Sequence, residues 1–258
     1  MSEEKRLAAL RAFLPEGRGG LLRWPEELAS TNAALKKLAA AGAPAGSAVL
    51  AERQTAGRGR LGRRFESPPG GLYLSFLLRP EEAPEALGTV TARAAVAVRR
   101  AVGRCCGLWP EIKWVNDLQW QGRKLCGILC EAVLLGGRAE SLVIGVGVNV
   151  RTPPEAFPPA LRAKAASLGD FCRPPEKTKL AAELLLALDG LARQQPAERA
   201  AYWEEYRACC VTLGKTVTLP DGREALAEGL GEDFALLLRL PDGSRLRLQS
   251  GEATLHGE

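Results

Sequence analysis

The stretch EIKWVNDLQWQGRKLCGILCEAVLLGGRAESLVIGVGVNV, residues 111–150, decides the fold. Its long apolar runs are interrupted by two turn-forming pairs, Gln121–Gly122 and Gly136–Gly137. Glycine-containing pairs between extended segments are typical of hairpin turns, so the stretch predicts three strands joined by turns. Two more strands are predicted upstream, in SAVLAERQ at 47–54 and GLYLSFLLRP at 71–80.

Helical patterns lie before, between and after these strands. The side-chain oxygen of Ser30 or Thr31 can cap a helix that Gly42 would end. The Ala/Val-rich segment 83–107 has a helical period and predicts a buried helix. The mixture of strands and helices predicts a mixed α/β domain. The remaining predicted helices are a short one within 1–20 and three later ones at 160–171, 176–195 and 198–210.

The pattern changes after Cys210. Two Pro-Asp-Gly turns, at 220–222 and 241–243, separate short alternating segments. This arrangement is typical of a small antiparallel barrel or sandwich. We therefore divide the chain into a short N-terminal helical extension at 1–22, a main domain at 23–208 and a small β domain at 209–258.

Composition excludes several classes of protein. No apolar run is long enough to span a bilayer and no signal peptide precedes the first helix, so we expect a soluble, cytoplasmic protein without a membrane partner. Seven cysteines, partly in adjacent pairs, predict reduced and mostly buried thiols. With His256 as the single histidine, a structural zinc site and a His-dependent catalytic triad are disfavoured.

The stretch QTAGRGRLGRRF, residues 54–65, carries four arginines and three glycines. Glycine lets backbone N–H groups approach phosphate oxygens, and guanidinium groups bind such oxygens in pairs. We expect this loop to be mobile when empty and ordered by an anion, because charge repulsion and glycine entropy both oppose order. A solvated basic loop or a nucleic-acid contact is the alternative, and the loop does not match a P-loop.

Two further segments carry polar residues on predicted strands. KWVNDLQWQGRK at 113–124 can bring two lysines, an amide and a carboxylate to the mouth of one pocket, although a polar hairpin edge with ion pairs is the simpler alternative. IGVGVNV at 144–150 alternates glycine with apolar residues and ends near Asn149. A strand of this kind admits a flat ligand or another backbone at close range, or simply packs under a helix.

In this order, GRGRLGR, KWVNDL, KLCGILCE and GVGVNV closely resemble the biotin protein ligase family, together with STN at 30–32 and Gln54. The resemblance covers roughly Trp24 to Tyr206, with LGKTV at 213–217 and GEATL near the end. It implies an α+β fold: a catalytic domain with a class II synthetase-like sheet and flanking helices, and a C-terminal SH3-like barrel. It also implies that biotin and ATP form biotinyl-5′-adenylate and pyrophosphate, and that biotin then passes to a lysine of a biotin carboxyl carrier domain.

The resemblance also assigns residues to roles. Mg²⁺ is expected to accompany ATP without assigned ligands, and no permanently bound cofactor is expected. The implied catalytic residues are Lys124, Arg58, Arg60 and Asp117. The implied biotin-binding residues are Ser30, Thr31, Asn32, Gln54, Gly57, Arg58, Gly59, Arg60, Lys124 and Gly127. The implied ATP-binding residues are Arg58, Arg60, Arg63, Phe65, Lys113, Asn116 and Asn149.

Two residues depart from the family pattern, since Val115 stands where the family has proline and Phe65 where it has tryptophan. The 23 residues before Trp24 are too few for the helix-turn-helix domain of some members, so we expect no operator binding and no nucleic-acid partner. The rival functions are a lipoate or octanoate ligase and a basic-loop nucleic-acid-binding module. The sequence leaves open whether the protein is a monomer or a homodimer.

Overall fold

The computed structural model describes residues 1–80, 88–135, 138–249, 251 and 253–255. The helices are α1 Glu3–Arg11, α2 Thr31–Ala40, α3 Val90–Cys106, α4 Pro159–Arg162, α5 Lys177–Leu191 and α6 Pro196–Cys209. The strands are β1 Leu22–Arg23, β2 Glu27–Leu28, β3 Ala48–Ala51, β4 Arg53–Gln54, β5 Gly71–Leu78, β6 Glu111–Lys113, β7 Asp117–Trp120, β8 Arg123–Leu135, β9 Arg138–Asn149, β10 Thr216–Thr218, β11 Glu224–Leu230, β12 Leu236–Arg239, β13 Arg245–Leu248 and β14 Thr254–Leu255. None of the described helices combines the length and the apolar character that crossing a membrane requires.

The largest sheet among the described residues is mixed and seven-stranded, in the order β1-β3-β5-β9-β8-β7-β6. Only the β1–β3 pair is parallel. Strand side chains alternate between the two faces. On β5, Leu77 packs with Leu35 of α2, while Leu72 and Leu74 pack in the larger core with α3 and α5. Helices thus cover both faces, which explains why β5 is apolar almost throughout.

The region 111–150 holds four strands instead of the predicted three. The first predicted strand is split into β6 and β7, which pair as a hairpin through Lys113 and Asp117. Trp114 lies between them and bonds to the C-terminal part of the chain: its N–H donates to Thr212 Oγ1 and its indole N–H to the Phe234 carbonyl. These contacts turn the chain away from the strand direction. The predicted turn at Gly136–Gly137 lies outside the described residues.

The predicted helix at 160–171 is also wrong in extent. Helix α4 ends at Arg162, and residues 164–166 run alongside β8 instead. The Lys124 N–H donates to the Lys164 carbonyl at 2.7 Å, and the Ala166 N–H donates to the Lys124 carbonyl at 2.9 Å. Backbone groups committed to a strand cannot also continue a helix. The other predicted helices are present, although residues 83–87 of the 83–107 prediction lie outside the described part.

The C-terminal strands form a five-stranded antiparallel sheet in the order β13-β12-β11-β10-β14. The Pro-Asp-Gly turns at 220–222 and 241–243 connect its hairpins, as predicted. The described residues show an open sheet with β13 and β14 at its edges, so its closure into an SH3-like barrel stays a prediction. The sheet contacts helix α6 through Trp203, whose indole N–H donates to the Gly231 carbonyl.

Candidate functional site

A cavity opens on the α2 face of the large sheet and collects most of the residues predicted from the sequence. Two predicted residues do not line it: Gly57 is buried at the base of the Arg/Gly loop, and Asn149 lies in the sheet. The predicted residues that line it are Ser30, Thr31, Asn32, Gln54, Arg58, Gly59, Arg60, Arg63, Phe65, Lys113, Asn116, Asp117, Lys124 and Gly127.

Glycines on β8 and β9 form the floor of this cavity. A Cβ atom at Gly147 would lie 2.4 Å from the Phe65 ring, and one at Gly127 would lie 2.8 Å from it. A Cβ atom at Gly145 would lie 2.3 Å from Asn32 Oδ1. The alternation of glycine with apolar residues therefore has a steric cause, since a side chain at any of these positions would collide with a residue of the cavity.

Hydroxyl and amide groups are linked at one end of the cavity. The N–H of Thr31 donates to Gln54 Oε1 at 2.8 Å, and the Thr31 hydroxyl lies 3.0 Å from the same oxygen. The Gln54 amide nitrogen donates to Ser67 Oγ at 2.8 Å, and Ser67 Oγ donates to the Phe65 carbonyl. Ser30 caps α2 by accepting the Ala33 N–H. The start of α2 is thereby fixed to the segment that ends the Arg/Gly loop.

The same chain of contacts continues to two residues that the sequence reasoning missed. Ser75 Oγ lies 2.8 Å from Thr31 Oγ1 and 2.5 Å from Asn32 Oδ1. The Asn32 amide nitrogen donates to Glu131 Oε2 at 2.7 Å. We call Gln54, Thr31, Ser75, Asn32 and Glu131 the hydroxyl–amide network. A signal was available, because a polar residue interrupting a buried apolar strand needs a partner.

Lys36 of α2 completes this end by forming an ion pair with Glu131 Oε1 at 2.5 Å. Partial burial acts to raise the pKa of the Glu131 carboxyl group. The hydrogen bonds from Lys36 and Asn32, with the positive charges of Lys36 and Arg58, outweigh it and hold this pKa below its usual value. Glu131 is therefore an anion at neutral pH.

Positive charge gathers at the other end of the cavity. Lys124 Nζ lies 2.7 Å from Asp117 Oδ2 and 5.6 Å from the centroid of the Phe65 ring. Arg60 donates to Asn116 Oδ1 at 3.0 Å. The second oxygen of Asp117 is buried and finds no hydrogen-bond partner among the described residues. An anion that enters here meets a lysine that is already oriented by a carboxylate.

The Arg/Gly loop closes over the cavity as a small hairpin. The Gly59 N–H donates to the Arg63 carbonyl at 2.7 Å, and the Phe65 N–H donates to the Gly57 carbonyl at 3.0 Å. A Cβ atom at Gly57 would lie 2.3 Å from that Phe65 carbonyl oxygen, so the position requires glycine. The expectation that the loop is mobile without a ligand stays a prediction.

Asn149 has a structural contact outside the cavity. Its amide nitrogen donates to the Ala166 carbonyl at 3.0 Å and lies 3.4 Å from the Lys124 carbonyl. It therefore ties the extended segment at 164–166 to β8, beside Lys124. Its assigned contact with nucleotide stays a prediction.

The C-terminal part of the chain also reaches the cavity. Trp114, Gly251, Ala253 and Thr254 line it together with Lys113. Sequence reasoning placed the C-terminal domain in a separate unit and assigned it no part in the site. Its contribution depends on contacts such as that between Trp114 and Phe234, which join residues 120 positions apart.

The chain's seven cysteines are all free thiols, and none of them lines the cavity. Burial raises the pKa of Cys105, Cys130 and Cys209 to about 11 in each case. A protonated thiol is a poor nucleophile. Among the described residues, no group of three or more His, Cys, Asp or Glu side chains is arranged to hold a metal ion.

Comparison with known proteins gives one consistent result. Residues 24–149 match the model of the Biotin/lipoate A/B protein ligase family. The biotin–[acetyl-CoA-carboxylase] ligase of Mycobacterium tuberculosis is 34% identical over 235 residues, which cover 88% of this chain and 82% of that protein. The bifunctional ligase/repressor BirA of Bacillus subtilis is 32% identical over 231 residues, covering 87% of this chain and 71% of that protein.

A solved structure agrees with these relatives. The biotin protein ligase from Aquifex aeolicus in complex with biotin and ATP superimposes with a TM-score of 0.73 at 28% identity. The match covers 92% of this chain and 98% of that one. The large mixed sheet and its flanking helices are thus shared with a protein whose structure holds both ligands.

Proposed function

This chain belongs to the biotin protein ligase family, and from that premise we propose that it activates biotin with ATP and transfers it to a lysine of a biotin carboxyl carrier domain. One observation carries the proposal. A pocket of hydroxyl and amide groups and a cluster of cationic side chains occupy opposite ends of one cavity over a glycine floor. The first end suits a cyclic urea, and the second suits a carboxylate meeting a phosphate.

In the first step, a carboxylate oxygen of biotin attacks the α-phosphorus of ATP. An O–P bond forms, and the bond to pyrophosphate breaks with its electron pair leaving on pyrophosphate. Two anions must approach each other for this to happen. Lys124, between Asp117 and the Phe65 ring, supplies a positive charge where they meet, and Arg58 and Arg60 supply further charge from the loop.

In the second step, the amine of the carrier lysine attacks the acyl carbon of the mixed anhydride. A C–N bond forms, AMP leaves with the electron pair of the C–O bond, and the amine loses a proton. Asp117 is the candidate base or orienting group, because it lines the cavity with its carboxylate 2.7 Å from Lys124 Nζ. The closing loop would keep water from the anhydride.

The substrate is MgATP, and the metal enters with the nucleotide. Mg²⁺ in nucleotide sites takes most of its ligands from phosphate and water, with one or two protein oxygens. Asn116 and Asp117 line the cavity with side-chain oxygens, which fits such a limited contribution. The closure of the C-terminal sheet into an SH3-like barrel belongs to the same proposal, supported by the two hairpins at Pro-Asp-Gly turns.

The test is to incubate the purified protein with biotin and MgATP and to measure pyrophosphate release together with the mass of the captured anhydride. Adding a biotin carboxyl carrier domain should then label one lysine. Lipoate in place of biotin provides the control for the rival activity within the same family. Turnover with lipoate and none with biotin would overturn the proposal in favour of that rival.

A further inference from the structure

Glu131 carries a negative charge at the end of the hydroxyl–amide network and has no part in the chemistry above. Its side chain is 22% exposed, and it accepts hydrogen bonds from both Asn32 and Lys36. A carboxylate accepts hydrogen bonds and cannot donate them. The orientation of the Asn32 amide therefore follows from the charge: its NH₂ group faces Glu131, and its oxygen faces the other way.

That orientation determines the next contact. Asn32 Oδ1 lies 2.5 Å from Ser75 Oγ, and an amide oxygen needs a donor at this distance. Ser75 has a single hydroxyl proton. Its shorter contact is with Asn32 Oδ1, so its proton goes there and its lone pairs face Thr31 Oγ1 at 2.8 Å.

The far end of the network is also an acceptor. The Gln54 amide nitrogen is directed to Ser67, so the Gln54 oxygen faces Thr31 and already receives the Thr31 N–H. Three oxygen–oxygen contacts therefore join Gln54, Thr31, Ser75 and Asn32, with only two hydroxyl protons to share among them. The network is one donor short and rich in lone pairs.

A ligand that supplies N–H groups can make up this deficit. On the proposed function, on which this inference rests, the ligand is biotin, and its cyclic urea carries two ring N–H donors. We propose that Glu131 is a positioning residue, whose charge fixes the direction of hydrogen bonds through Asn32 and Ser75 so that the pocket presents acceptors to the urea N–H groups.

The inference predicts that the pocket prefers a ligand with a hydrogen-bond donor at each ring N–H position of biotin. In a cyclic carbamate analogue of biotin, a ring oxygen replaces one N–H group, so a lone pair would face the lone pairs of the network. We expect the unsubstituted protein to bind biotin at least about 100-fold more tightly than this analogue, because unpaired buried polar groups are strongly rejected.

The test is calorimetric titration of Glu131→Gln with both ligands. Glutamine can donate as well as accept, so the Asn32 amide can turn over and release the Ser75 proton toward Thr31, whose own hydroxyl proton is then free to face the pocket. We expect the ratio of the carbamate and biotin dissociation constants to fall by about tenfold, because this corresponds to the contribution of one hydrogen bond. Equal weakening of both ligands would overturn the inference, because a merely structural residue would affect them alike.

Glu52→Gln is the matched control. Glu52 pairs with Lys177 at 2.6 Å and is 26% exposed, close to the values for Glu131, but its paired oxygen contacts no amide of the network. We expect its preference between the two ligands to be unchanged. A narrowed preference in Glu52→Gln would mean that loss of any nearby charge is sufficient, which would contradict the inference.

A second variant keeps the inference testable if Glu131→Gln folds poorly. Ser75→Ala removes the hydroxyl that links Asn32 to Thr31 and leaves the Glu131–Lys36 ion pair in place, so it should also narrow the preference for biotin over the carbamate. The double variant Ser75→Ala with Glu131→Gln should show no further narrowing than Ser75→Ala alone. An undiminished preference in Ser75→Ala would refute this link. If the unsubstituted protein binds no biotin and releases no pyrophosphate, the proposed function itself fails, which is a different outcome.

Discussion

The hydroxyl–amide network and the Arg/Gly loop lie around one cavity but are held in different ways. In the network, neutral side chains and one carboxylate bond to each other, and Thr31, Ser75 and Asn32 are all buried. In the loop, several arginine side chains are exposed, and the backbone forms hydrogen bonds mainly within its own hairpin. The first region is oriented before a ligand arrives and lacks only hydrogen-bond donors, whereas the second presents charges that an anion would neutralise.

This difference assigns separate tasks to the two ends. A region whose groups are already oriented by one another can recognise a neutral ring with little reorganisation. A region with excess positive charge gains most when anions enter, and therefore suits the reacting carboxylate and phosphate. Lys124 belongs to this second region, where it is held between Asp117 and the Phe65 ring.

The largest expected effect is at Lys124. Lys124→Ala removes the charge between the two anions, and we expect biotin-dependent pyrophosphate release to fall by about 10²–10³-fold, with calorimetric biotin affinity reduced much less. Lys177→Ala is the control, because it removes a lysine paired at 2.6 Å outside the cavity. Comparable turnover in Lys124→Ala and Lys177→Ala would show that the cationic end does not drive the chemistry.

The next effect tests the floor that both regions share. In Gly147→Ala the new methyl group would lie 2.4 Å from the Phe65 ring, so the ring must move. Overpacking costs about 1–3 kcal/mol, which corresponds to biotin affinity about tenfold to hundredfold weaker if the ring enters the ligand's space.

Gly190→Ala is the control for this substitution. Gly190 is exposed in α5 with no atom within 4 Å of the added Cβ, so alanine should stabilise the helix by about 0.5–1 kcal/mol and leave biotin binding unchanged. Full biotin affinity in Gly147→Ala would mean that the floor tolerates a methyl group and that Phe65 is not in contact with the ligand.

The two regions also differ in how much of them the sequence could predict. The loop and the strands around it were predictable because their signals are local: glycine spacing, turn pairs and a two-residue period. The network was only half predicted. Thr31, Asn32 and Gln54 came from the family motif, but Ser75 and Glu131 matter only once β5 and β8 are known to present them on the α2 face.

The errors share this origin. The break at Trp114 depends on Thr212 and Phe234, and the extended segment at 164–166 depends on the backbone of Lys124. Contacts between residues 40 to 120 positions apart decide both, and no local pattern reports them. The sequence therefore predicted which residues gather at the cavity better than it predicted what holds them there.

A smaller effect concerns the loop alone. With saturating biotin and MgATP, we expect trypsin to cut after Arg58, Arg60 and Arg63 about tenfold more slowly, because a ligand that orders the loop lowers the population open to cleavage. Arg223, in an exposed turn of the C-terminal sheet, supplies an internal control whose cleavage should not change. Unchanged cleavage after Arg58, Arg60 and Arg63 would show that the loop is already as ordered as the network before a ligand binds.

The smallest expected effect is the pH dependence of the network's contribution to stability. Partial burial raises the pKa of Glu131, but hydrogen bonds from Lys36 and Asn32 prevail, so the folded protein binds its proton less readily than the unfolded chain. The stability from this carboxylate is therefore present above its unfolded pKa, about 4.3 for glutamate, and is lost as pH falls through the lower folded value. Urea unfolding between pH 3 and pH 6 should show that the free energy of unfolding falls less on acidification in Glu131→Gln than in the unsubstituted protein. If the two proteins lost stability in parallel, the network would hold no charge.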